Sequence, residues 1–226
     1  MRTQRMRAPA AIASAAARAA MVIAIAISFA GVPALAAPSD NARLYQESYG
    51  FEAIGDFRAA IDALHGVTGK QRESYFHHLR LGWLHYNAGA FDASMTAYRA
   101  AISLEPGAVE PYLGLLLPQM ARRAWKDAVK TGRLALERDP KNLVAQSRLA
   151  WAYYSQGRYP EAEEAYRATL AMHPANLEMR AGLGWSLLER GQHAPAEAEF
   201  RRILDVSPAY PSALAGIAKL GQVTAR

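Results

Sequence analysis

The 226-residue sequence contains no cysteine. That absence excludes disulfides, thiolate metal sites, a thiol nucleophile and cysteine lipidation. Acidic residues are missing from the first 36 positions, where Arg2, Arg5, Arg7 and Arg18 all lie. The formal charge of +6 therefore belongs largely to the N-terminus: beyond residue 36, 22 basic residues face 20 acidic ones, a net +2. Such a balance gives little support to nucleic-acid or membrane-surface binding. No glycine-rich phosphate loop and no Ser-His-Asp pattern is present, so neither catalysis nor a cofactor is expected. The apolar run Ala19–Ala30 is shorter than the ~20 residues that span a bilayer, and it ends at Gly31 and Pro33.

The same run has another use. An Arg-bearing start, the apolar stretch and the small residues Ala34-Leu35-Ala36 form the three parts of a secretory signal, with cleavage expected after Ala36 or Ala37. Residues 1–36 are then a signal peptide and 37–226 the mature chain. That chain is expected to be exported, periplasmic in a two-membraned bacterium and secreted from a single-membraned host, without an integral membrane segment. Retention of the segment as an anchor is the other reading.

Ala, Leu, Glu and Arg dominate the remainder and favour helix. In the stretch 143–176, Leu149, Ala150 and Tyr153 share one helical stripe, Gly157 breaks the pattern, and a second helix starting near Pro160 carries Ala162, Tyr166 and Thr169. The pattern recurs every 34 residues: Pro106, Pro140, Pro174 and Pro208 fall at that interval, as do Gly55, Gly89, Gly157 and Gly191, with Arg123 in the missing place. The column Ala60, Ser94, Ala128, Ala162, Ala196 is uniformly small, whereas Leu64, Tyr98, Gly132, Tyr166, Phe200 is mostly large. Two short helices cannot bury their apolar faces alone, so the units must stack. Five units result, 41–74, 75–108, 109–142, 143–176 and 177–210, followed by a helix at 211–226 that covers the last open face, with Leu214 and Ile217 on its apolar side.

These residues resemble the tetratricopeptide repeat family: Leu183-Gly184 with Leu187, Ala196 with Phe200 and Pro208, and equally Leu149-Ala150 with Tyr153, Ala162 with Tyr166 and Pro174. The resemblance covers residues 41–210 and implies an all-α fold, a right-handed α-solenoid whose first helices line a concave groove for partner segments. Unit 1 departs from the pattern at Glu47, Ser48 and Arg72, as a terminal repeat does. Unit 3 departs through Pro118 inside its first helix, where a kink or early break is expected, and through Leu116 and Gly132, which exchange the large and small sites.

The first helices carry two stripes. One, in unit 2, is His78, Leu81, Gly82 and His85, which matches the packing columns. The other, Leu79, Trp83 and Tyr86, falls on the implied groove side. Its central column reads Tyr49, Trp83, Leu117, Trp151, Trp185, and the column three residues on reads Glu52, Tyr86, Met120, Tyr154, Leu188, with Arg80 and Arg148 alongside. Either these rings fill space between successive first helices, or they form a binding groove. The separate core stripe favours the groove, and Tyr, Trp and Arg are the types that dominate hot spots. The family's Lys and Asn clamp for terminal carboxylates is not carried over, so anionic contacts would fall to Arg80 and Arg148. His77, His78 and His85 lack Asp or Glu at ligand spacing and do not suggest a metal site. The expected function is a non-enzymatic scaffold or adaptor for a protein or peptide partner in the cell envelope. A carbohydrate-binding protein of a polysaccharide export system is the alternative, because aromatic platforms also stack on sugars.

Overall fold

The structure, a computed structural model, describes residues 39–224; the segment 1–36, expected to be a signal peptide, lies outside them. Within the described residues there are eleven α-helices, one 3₁₀ turn and no strand. Helices α1 (Asp40–Ala53) and α2 (Phe57–His65) form the first pair, followed by the 3₁₀ turn Gly69–Gln71. The pairs α3 (Tyr75–Asn87) and α4 (Phe91–Leu104), α5 (Glu110–Ala121) and α6 (Trp125–Arg138), α7 (Leu143–Ser155) and α8 (Tyr159–Met172), and α9 (Leu177–Glu189) and α10 (His193–Val206) come next, and α11 (Pro211–Thr224) closes the chain. Each helix packs on its partner and on the following pair. The fold is all-α, a right-handed α-solenoid of five helix-turn-helix units with a C-terminal solvating helix.

Local chemistry fixes the ends. Ser39, Ser74, Asn142 and Asn176 each accept the backbone N–H three residues on and cap a first helix. Gly55, Gly89, Gly157 and Gly191 take φ of +73° to +79° in the turns between paired helices, and Arg123 fills the same place at φ +56°. A left-handed non-glycine residue costs roughly 1–2 kcal/mol, so the backbone of this turn is held by its surroundings rather than by its own preference.

Between pairs, rings lock into glycine slots. Tyr98 of α4 lies against Gly82 of its own pair and Gly114 of the next, where an added Cβ would come within 2.1 Å of its ring. Phe200 sits in the same way between Gly184 and Gly216, and Tyr166 against Gly182. Unit 3 offers Gly132 instead of a ring, and Leu149 closes over it, with Leu116 fully buried nearby. The exchange of large and small sites read in the sequence is thus realised as packing.

At Pro118 the early break, one of the two outcomes expected, does not occur. Helix α5 runs past the proline to Ala121, the repeat position at which α3, α7 and α9 also end. The carbonyl left without its helical donor belongs to Gly114, and Arg148 from α7 donates to the adjacent Leu113 carbonyl at 2.6 Å. Helix α11 also differs: Ala213, Gly216 and Leu220 are buried with Ile217 against the core, whereas Leu214 is exposed. No described helix is long and apolar enough to cross a membrane.

Candidate functional site

The first helices bring the aromatic column together as two ladders. On α3, Trp83 and Tyr86 have ring centroids 6.3 Å apart, and Tyr86 meets Phe91 of α4 at 5.9 Å. On α7, Trp151 stacks on Tyr154 at 5.6 Å and 18°, and Tyr154 meets Tyr159 of α8 at 5.5 Å. Trp83 and Trp151 stay 41% and 44% exposed, although both point from helices that bury a separate face. Leu79, Tyr86, Leu117, Met120 and Tyr154 are half-buried around them. Burial, with Glu189 and Tyr159 nearby, pushes the Tyr154 phenol upward, so it stays a neutral donor at any physiological pH.

The two ends of the column are occupied by the chain itself. At the N-terminal end Arg80 is 6% exposed, donates to Ser48 Oγ at 2.9 and 3.2 Å and to Glu52 at 2.9 Å, and lies 3.4 Å from the centre of the Tyr49 ring. Trp83 Nε1 donates to the other Glu52 oxygen at 2.6 Å. At the C-terminal end Trp185 meets Phe200 edge-on at 5.4 Å, donates to Ser212 of α11 at 2.8 Å and carries Lys219 5.5 Å above its ring. Trp185 therefore anchors the last helix. Arg148 is desolvated between Tyr86 and Tyr98, which lowers its pKa, and it donates to the Leu113 carbonyl. Neither arginine faces outward as a ready anion contact, contrary to the sequence reading: Arg80 is neutralised by Glu52, and Arg148 supports the proline-bearing helix.

The histidines are likewise structural, but a different one is buried. His77 is 3% exposed with Nδ1 3.1 Å from the Tyr45 hydroxyl, while His78 and His85, placed on the packing stripe by the sequence, are half-buried. Burial, aided by His78, Arg72 and His65, pushes the His77 imidazole down to about 4. Phe91 and Tyr159 escaped the sequence reading. Their signal was an aromatic at the start of four successive second helices, Phe57, Phe91, Trp125 and Tyr159, at the 34-residue interval.

A family model for the tetratricopeptide repeat matches residues 45–109, 79–142 and 147–213, and a second model of the same repeat matches 119–171. The chain belongs to the tetratricopeptide repeat family. Comparison with curated proteins gives no match. Among solved structures, a MamA protein resembles it over 74% of this chain and 91% of its own, at 20% identity and a TM-score of 0.68. MamA from Desulfovibrio magneticus RS-1 is similar over 77% and 98%, at 14% identity and 0.71. A tetratricopeptide repeat protein from Parabacteroides merdae is similar over 81% and 73%, at 19% identity and 0.75. These likenesses concern the fold. As a tetratricopeptide repeat protein, the chain has the architecture of a protein-interaction scaffold.

Proposed function

We propose that this repeat protein is a non-enzymatic adaptor that holds an apolar segment of a partner protein on the first helices of units 2 to 4. The observation that carries this reading is the pair of half-exposed ladders, Trp83–Tyr86–Phe91 and Trp151–Tyr154–Tyr159, on helices that already bury a different face. With Arg80 and Trp185 committed to packing, the binding surface comprises Leu79, Trp83, Tyr86, Leu117, Trp151 and Tyr154. Export to the cell envelope follows from the Arg-bearing start, apolar run and Ala34-Leu35-Ala36.

The test is tryptophan emission in a W125F/W185F background, where only Trp83 and Trp151 report. Saturable shifts with apolar peptides support the adaptor. Shifts with soluble glycans alone, or with nothing, overturn it.

A further inference from the structure

The turn of unit 3 concentrates positive charge against local preference. Residues 121–135 hold five basic residues and one acidic one, whereas the equivalent stretches 87–101 and 155–169 hold one basic with one acidic and two basic with three acidic. Arg123 occupies the left-handed position where the other four units have glycine. Lys126 stands in the first turn of α6, where a cation opposes the helix dipole. Arg122 pairs with Asp92 and Arg133 donates to the Tyr153 hydroxyl, but Arg123, Lys126 and Lys130 are exposed with no carboxylate in ion-pairing reach among the described residues. Sites where several local rules fail together are where function is expected.

A depression of about 350 Å³ lies at this place, lined by Arg123, Ala124, Trp125, Lys126, Asp127 and, from the turn of unit 4, Gln156. Its wall on the unit 4 side is the half-buried Gln156, which brings no charge of its own. The corresponding depression between the turns of units 1 and 2 is lined by Gly55, Asp56, Phe57, Arg58, Asp62 and Ala88 among others, where two carboxylates balance the arginine and alanine replaces glutamine.

We propose that the depression between the turns of units 3 and 4 binds an acidic side chain of a partner protein, the carboxylate held by Arg123 and Lys126, with the aliphatic stem against Trp125. Three free cations beside Asp127 suit a short acidic segment. A nucleic-acid strand or an anionic bilayer engages about 4–10 basic groups. Neither Trp83 nor Trp151 lines the depression, so W83A/W151A removes none of its residues.

The experiment is fluorescence anisotropy of a labelled twelve-residue peptide with Glu at every third position, titrated with the full chain in low salt. Saturable binding is expected, weakened about tenfold or more by K126E/K130E. R123G is expected to weaken binding severalfold while raising the thermal midpoint, because it relieves the left-handed strain. Equal affinity in K126E/K130E and R123G overturns the proposal. So does an equal loss in R58E/K70E, which would make the attraction one of net charge, or binding of phosphatidylglycerol vesicles or single-stranded DNA but not the peptide.

Discussion

Gly114 and Trp185 show how much a single position decides here. A methyl group on Gly114 has no room beside Tyr98. Overpacking of this kind costs about 1–3 kcal/mol, so G114A is expected to lower the unfolding free energy by that amount, read as a lower urea midpoint with an unchanged slope. Trp185 looked in sequence like Trp83 and Trp151, since all three occupy one repeat position. Its indole instead bridges Phe200 and Ser212, and W185A is expected to cost about 2–4 kcal/mol. The difference was illegible in the column because it depends on the last helix of the chain: α11 supplies Ser212 and Lys219, and no helix does the same for Trp151. The arginines teach the same lesson. Arg80 and Arg148 lie beside the groove in sequence, but Ser48, Glu52 and the Leu113 carbonyl reach them first.

At the level of the element, periodicity was nearly sufficient. The 34-residue recurrence of glycine and proline located the turns, with Arg123 and Arg72 in the two places where glycine and proline are missing, and the structure caps helix starts at Ser74, Asn142 and Asn176. At Pro118 it left a kink or an early break open, and the break is absent, since α5 reaches the usual repeat end at Ala121. It failed in part for α11, where the face containing Gly216, rather than Leu214, accepts Phe200. Removing residues 211–226 uncovers Phe200, which packs against Gly216, and Trp185, which donates to Ser212. The truncated chain is expected to melt several degrees lower and to bind a hydrophobic dye. Unchanged melting would show that α11 is dispensable.

For the whole molecule, stacking makes stability a sum over interfaces, and the junction of units 1 and 2 carries a titratable one. His77 has a folded pKa of about 4 against an ordinary value of 6.5, because burial disfavours its charged form. A depressed pKa on a base contributes stability that is complete above about pH 6.5 and is lost as pH falls toward 4. The full shift corresponds to at most about 3 kcal/mol. Urea midpoints measured from pH 7 to 4 should fall less steeply in H77Q than in the natural sequence. Parallel slopes would contradict the assignment to His77.

The fold of the whole was legible because repetition averages out local exceptions, while the site was legible only in outline, since each groove position is decided by its neighbours in space. The central claim is that the Trp83 and Trp151 ladders exist for a partner and not for the core. Its most direct test is capture of envelope proteins by the natural chain and by W83A/W151A, read beside thermal melting of both. The expected result is a partner retained by the natural chain and lost by the variant, with melting temperatures within a few degrees. A variant that melts far lower, or that keeps every captured protein, would contradict it.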